Sequence, residues 1–324
     1  MGRDLMGGMP ERPAQADARA PLDLRTDRPH AARVYDVLLG GKTNYAADRA
    51  MAEQVLVNLP SARSAALANR SFIHRATRYL AAEAGVRQFL DIGTGIPTSP
   101  NLHEVAQGVA PDSRVVYVDN DPIVLAHSRA LHIGHPSGRT AYMDADAADP
   151  EAILASGVLH ETLDLGRPVA LSMCLLLHWL PLDSDPYAVV RRLMEELPPG
   201  SHLVITHLAR DLDQAGAGGL ESDFKASGSQ LKARTKDEVA RFFDGLTLLA
   251  PGIVPPHRWR PGRLVAVGGA AGDGDAADEG ADAPGPGDAG DAADAADAAD
   301  TPESRESGEE FTAPVWAGVA VKGG

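Results

Sequence analysis

The chain has 324 residues, 44% of them hydrophobic, enough for one large core or two small ones. Fourteen acids and one arginine between Gly272 and Glu310 carry −13 of the formal net charge of −15, so the remainder is nearly neutral and lacks the basic excess of a nucleic-acid binder. A single cysteine, Cys174, excludes a disulfide framework and a multi-cysteine zinc site; with no membrane-spanning run and no apolar leader, the expected compartment is the cytoplasm.

Residues 1–29 are rich in Pro, Arg, Asp and Ala without hydrophobic periodicity and are predicted to be a disordered tail. A helical cap is predicted over residues 30–85. "HAARVYDVLLGG" reads as a short helix ended by Gly40 and Gly41, and "NYAADRAMAEQVLVNLP" as a second helix stopped at Pro60. A long third helix, "SARSAALANRSFIHRATRYLAAEAG", runs from an N-cap at Ser61 to a stop at Gly85. The segment after the first helix suits a lid folded over a neighbouring crevice, which makes Gly40, Gly41 and Asn44 candidate cofactor contacts. Tyr35 is either a core anchor of this cap or a catalytic residue.

From Arg87 strands and helices alternate, which predicts a parallel sheet covered by helices on both faces. The strands are expected at residues 87–92, 114–119, 140–144, 168–175 and 201–207. "DPIVLAHSRALHI", "DPEAILAS" and "DPYAVVRRLMEELPPG" are the helices after the second, third and fourth strands. Residues 211–230 read as a polar, glycine-rich connection, and "TKDEVARFFDG" as a helix with a capping box from Thr235 to Glu238. "LTLLAPGIV" and "VWAGVAVKG" are two last strands, suited to an antiparallel hairpin at the sheet edge. Between them residues 269–312 repeat the triplet DAA with almost nothing apolar beyond alanine, which predicts a disordered, solubilising insertion and not a domain. "GRLVAVGG", just before it, either extends the first hairpin strand or adds one. One domain is therefore expected over residues 30–268, completed by a last strand within 313–324.

The chemistry starts at "QFLDIGTGIPTSPNLHEVAQ", residues 88–107: a strand, a tight turn at Gly93 and Gly95, then a helix. This is the crevice where open α/β sheets bind ligands, but Thr98 stands in place of the third glycine of a dinucleotide fingerprint, beside Pro97. Asp91 puts a carboxylate at the strand end, where it would repel a pyrophosphate and attract an ammonium or sulfonium. S-adenosyl-L-methionine (SAM) carries both cations and no phosphate. Asp119, followed by Asn120, ends the second strand 26 residues past Gly93, the place of a ribose-binding acid. Asp144 and Asp146 end the third strand, and one of them would accept from an adenine amino group.

These stretches resemble a bacterial family of SAM-dependent methyltransferase-like proteins long known as a domain of unknown function. The resemblance rests on "ARVYDVLLGGKTNYAADR", "FLDIGTGIPTSPNLHEVAQ", "VVYVDNDPIVLAHSRALH", "RFFDGLTLLAPGIVPPHRWRP" and "WAGVAVK". It implies a class I, Rossmann-like, doubly wound α/β fold: a mostly parallel seven-stranded sheet whose last strand is antiparallel. It implies SAM as cofactor, with Gly93 and Gly95 at its methionine part, Asp91 at its ammonium, Asp119 at the ribose and Asp146 at the adenine. The expected activity is in-line methyl transfer to a small-molecule acceptor, without membrane or nucleic-acid partner. A non-catalytic SAM-binding sensor or scaffold is the alternative; a nicotinamide-dependent oxidoreductase is disfavoured by Asp91, Pro97 and Thr98.

In such a fold the end of the fourth strand faces the reacting methyl. His178 is the candidate general base there and Trp179 a candidate acceptor contact, unless both start the next helix and pack on the sheet. His103, His207 and Arg210 are further candidate acceptor contacts, or else a helix cap and ordinary surface residues. The histidines lack a metal-ligand spacing, so no metal is expected.

Overall fold

Three helices precede the sheet: α1 (Ala31–Leu38), α2 (Ala46–Asn58) and α3 (Ala62–Ala82). Asp48 on α2, fully buried, ties them together by accepting from the backbone N–H of His30 (2.9 Å), the backbone N–H of Tyr45 (2.8 Å) and Nε of Arg33 (3.2 Å). A buried carboxylate held by three donors is stable only while all are in place, which fixes how α1 docks on α2. The computed structural model describes residues 25–124, 126, 134–181, 183–261 and 313–324. The predicted tail up to residue 24, most of the predicted helix at 121–133, "GRLVAVGG" and the acidic insertion lie outside the described residues.

The sheet is built from β1 (Gln88–Ile92), β2 (Arg114–Asp119), β3 (Arg139–Asp144), β4 (Ala170–Cys174), β5 (His202–Leu208), β6 (Thr247–Leu248) and β7 (Val315–Val321). Their order is β3-β2-β1-β4-β5-β7-β6; β7 runs antiparallel to both β5 and β6, and the pairs among β1 to β5 are parallel. This is a class I methyltransferase sheet with its antiparallel last strand. The pleat sorts the side chains: Leu90, Ile92, Val116, Val118, Leu171 and Met173 pack on one face. That face is covered by α5 (Pro150–Leu154), α6 (Gly157–Thr162) and α7 (Pro186–Glu196). Phe89, Val115, Tyr117 and Ala170 point the other way, against Phe72, Ala76 and Leu80 of α3 and against α4 (Leu102–Val109). Burial on both faces explains why the parallel strands read as short apolar runs.

Residues 211–230 depart from expectation. They hold α8 (Gln214–Ala226), whose N-cap Asp213 accepts from the backbone N–H of Gly216 at 2.8 Å. The glycines that signalled a loop are contact points. A Cβ on Gly216 would lie 2.8 Å from the carbonyl oxygen of Asn58, and one on Gly219 would lie 2.3 Å from Asn58 Oδ1. Two small residues thus let α8 lie directly on α2 and complete a third apolar cluster with α1, α2 and the start of α3. The capping box at Thr235 forms as expected and opens a short α9 (Lys236–Ala240). Among the described residues no helix is long and apolar enough to cross a membrane.

Candidate functional site

The strand order reverses between β1 and β4, so the crevice opens where Asp91 and Cys174 end these two strands. Gly93 (φ +75°) and Gly95 (φ +69°) turn the chain there, and a Cβ on Gly93 would lie 2.6 Å from Leu176 Cδ1. Both conformations suit glycine, and the missing side chain leaves the backbone bare at the crevice. Asp119 holds the loop in shape: Oδ2 accepts from the N–H of Gly95 (2.9 Å) and Oδ1 from the N–H of Asp121 (2.9 Å). Each carboxylate oxygen retains a free lone pair for a ligand hydroxyl.

A cavity of about 540 Å³ starts at this loop and runs under the cap. Asp91, Gly93, Gly95, Asp119, Asn120, Asp146, Tyr35, His178 and Trp179 line it, nine of the residues singled out from the sequence. The carboxylate of Asp91 has no hydrogen-bond partner among the described residues. Burial pushes it up to about 7; Asp119 adds to the rise and Arg70 opposes it. Arg70 on α3 was not expected from the sequence. It lies on the same wall, gives Nη2 to the carbonyls of Thr98 and Pro100 (2.9 Å to the latter), and leaves Nε without a partner. An under-paired acid and an under-paired base on one wall fit a ligand that brings an ammonium and a carboxylate together, as the methionine part of SAM does.

Tyr35 lines the cavity but is not a base at neutral pH. Its hydroxyl donates to the carbonyl of Ala66 (3.0 Å) and accepts from Nδ2 of Asn69 (2.9 Å), and burial pushes it up to about 12. His178 and Trp179 sit in a turn after β4; the next helix, α7, begins only at Pro186. Burial, with His207 and Arg234 nearby, drives His178 well below the ordinary imidazole range. It is therefore a neutral ring and a weaker base than its residue type suggested. Trp179 packs edge-on against Phe224, with ring centroids 4.7 Å apart.

Seven other residues singled out from the sequence do not line the cavity. Gly41 and Asn44 wrap Asp36: the backbone N–H of Thr43 and Nδ2 of Asn44 each donate to Asp36 Oδ2 at 2.9 Å, and a Cβ on Gly41 would meet Asp36 Oδ1 at 2.0 Å; Gly40 turns the chain at φ +80°. That turn is structural, and α1 itself covers the cavity through Ala31, Ala32, Val34, Tyr35 and Leu38. Asp144 is exposed at the end of β3 and does not line the cavity; Asp146, two residues on, does. His103 is buried, its backbone N–H (2.8 Å) and Nδ1 (3.0 Å) both at the Tyr117 hydroxyl. His207 is buried within β5: Nε2 accepts from Arg234 Nη1 (2.8 Å), so Nδ1 carries the hydrogen given to the Leu208 carbonyl (2.9 Å). Arg210 is held by Glu221 at 2.5 Å. Among the described residues, no group of three or more His, Cys, Asp or Glu could hold a metal ion.

Residues 17–281 match the sequence profile of a family described as S-adenosyl methyltransferase. The chain is 39% identical to a DUF574 family protein from Streptomyces avermitilis of solved structure, over 92% of this chain and 99% of that one, with a TM-score of 0.75. It is 36% identical to a candidate methyltransferase from Thermobifida fusca, over 93% of this chain and 97% of that one, with a TM-score of 0.73. No curated protein sequence matches it. Family membership sets aside the nicotinamide alternative: the chain belongs to the S-adenosyl methyltransferase family, with a class I fold and SAM as its cofactor.

Proposed function

We propose that the protein is an enzyme that moves the methyl group of SAM to a small molecule held in the same cavity. The observation that carries this reading is continuity: one cavity joins the glycine loop to an apolar space under the cap. When bound, SAM supplies an electrophilic methyl on a good leaving group. The chain's task is then to align the acceptor and exclude water, effects able to supply much of the acceleration of an in-line transfer.

In this reading Asp91 meets the ammonium and Arg70 the carboxylate of SAM, while the bare backbone at Gly93 and Gly95 lets the methionine part approach. Asp119 takes the ribose hydroxyls, and Asn120 and Asp146 stand on the adenine side. Helix α1 closes over the cavity. His178 would orient a donor hydrogen of the acceptor more than abstract it. A cytoplasmic location suits a chain with one free cysteine, Cys174.

The weak basicity of His178 and the raised hydroxyl of Tyr35 favour one second reading, a SAM-binding protein without turnover. Calorimetric titration with SAM, S-adenosylhomocysteine and NADH tests the first: SAM and S-adenosylhomocysteine bind and NADH does not. Asp119→Ala should weaken SAM binding more than tenfold, since a lost ribose contact costs about 1–3 kcal/mol. No heat with SAM would refute the assignment. Release of S-adenosylhomocysteine in the presence of any acceptor would exclude the reading without turnover.

A further inference from the structure

The cavity is chemically divided. Its acidic and basic wall residues, apart from His178, are His30, Arg70, Asp91, Asp119 and Asp146. All belong to the loop side: Asp91 and Asp119 end β1 and β2, Asp146 follows β3, Arg70 bonds the loop carbonyls, and His30 Nδ1 stands 3.1 Å from Asp121 Oδ2. The opposite wall is Val34, Leu38, Val55, Leu59, Leu220 and Phe224, drawn from α1, α2 and α8 and packed as one cluster. A charged molecule entering that space would shed its hydration without meeting a counter-charge.

Besides Arg70 and Asp91, two polar side chains on the cavity wall, Asn69 and His178, are short of a partner. Asn69 is 2% exposed; its Nδ2 donates to the Tyr35 hydroxyl, which leaves Oδ1 as a bare acceptor. His178 is 5% exposed; its Nδ1 has no partner, and neither ring nitrogen bonds to another described residue. A neutral imidazole keeps one acceptor nitrogen. Both groups can therefore receive a hydrogen that the protein does not provide. Beside His178, the edge-to-face rings of Trp179 and Phe224 offer a surface on which a third ring can pack.

We propose that the methyl acceptor is an uncharged aromatic hydroxyl compound, its ring system among α1, α2 and α8 and its one hydroxyl hydrogen given to Asn69 Oδ1 or to His178. This assignment rests on the methyl-transfer reading. The transfer forms an O–CH3 bond while the S–CH3 bond of SAM breaks with its electron pair left on sulfur. The hydroxyl proton becomes strongly acidic as the oxygen is alkylated and leaves to water. The products are a methyl ether, S-adenosylhomocysteine and one proton.

The test is binding, read by calorimetry and by tryptophan fluorescence on the full chain saturated with S-adenosylhomocysteine. The probes are 2-naphthol, 2-naphthoate, 2-naphthylmethylammonium and 2-methoxynaphthalene. We expect 2-naphthol to bind about tenfold or more tighter than either charged probe, and about threefold or more tighter than the methoxy compound, which lacks the donor hydrogen. The second margin should vanish in His178→Leu or in Asn69→Leu, whichever removes the accepting group, in variants that keep the wild-type circular dichroism. A charged probe that binds as tightly as 2-naphthol, or no binding of 2-naphthol, overturns the acceptor class. A methoxy margin that survives both substitutions overturns the hydroxyl placement. Binding of 2-naphthol by a chain that ignores S-adenosylhomocysteine would instead overturn the methyl-transfer reading and leave the chamber standing.

Discussion

Asp91 makes the site sensitive to pH in a direction that can be worked out. Burial raises its carboxyl from the ordinary 3.8 to about 7, so in the free chain below that pH it is protonated and uncharged. An ammonium needs the carboxylate, so binding SAM must expel this proton. SAM affinity should therefore rise with pH up to about 7, by at most about tenfold per unit, and level off above it. The free chain behaves in the opposite sense: the group's stabilisation is full below 3.8 and is lost as pH rises through about 7. Calorimetry between pH 5.5 and 8.5 checks the first statement; a flat profile, or one unchanged in Asp91→Asn, would show that Asp91 does not meet a cation. Asp91 and Asp119 were legible in the sequence because they end strands beside a glycine turn. Arg70 was not, because α3 also carries Arg63, Arg75 and Arg78 and only the docking of the helix decides which guanidinium faces the crevice. His207 was misplaced for a related reason: residue type suggested chemistry, yet β5 is buried throughout its length, and its histidine pairs with an arginine behind the sheet.

Among the elements, α8 lines the apolar end of the cavity, and its glycines separate packing from propensity. Gly218 has open space where a Cβ would go, whereas at Gly216 a Cβ would press on the backbone of Asn58 at 2.8 Å. Gly218→Ala should stabilise the fold by about 0.5–1 kcal/mol, because alanine is the better helix former. Gly216→Ala should instead destabilise it by about 1–3 kcal/mol, as α8 is forced off α2. Thermal melts of the two variants decide it, and equal shifts of one sign would mean that α8 does not rest on α2 through this glycine. Strand β6, expected over residues 246–254, is only Thr247–Leu248. The five parallel strands were readable to within about two residues, since buried parallel strands announce themselves as apolar runs between turn signals. Helix α8 was not, because glycines that permit close packing have the same spelling as glycines that break a helix. The turn at Gly40 and Gly41 does not line the cavity, and Gly41 fits against Asp36.

For the molecule as a whole, the seven strands and the antiparallel last one followed from the strand count and the family resemblance, but the place of β7 shows what holds the sheet together. Every residue from Val315 to Ala320 is buried, and the strand pairs with β5 along its full length and with β6 beyond it. A chain ended at residue 312 should therefore lose cooperative unfolding and SAM binding together. A sharp thermal transition retained by that shortened chain would contradict this. The same arrangement bears on how the protein is made. When β5 leaves the ribosome its outer edge has no neighbour, and it must wait while residues 209–314 are synthesised, roughly 5–21 s at ~5–20 residues per second. An open edge of this kind invites any passing strand to pair with it. About half of the chain made during that wait is aspartate, glycine and alanine, whose like charges and small side chains make a poor strand. The growing protein thus keeps that edge vacant for the strand that belongs there.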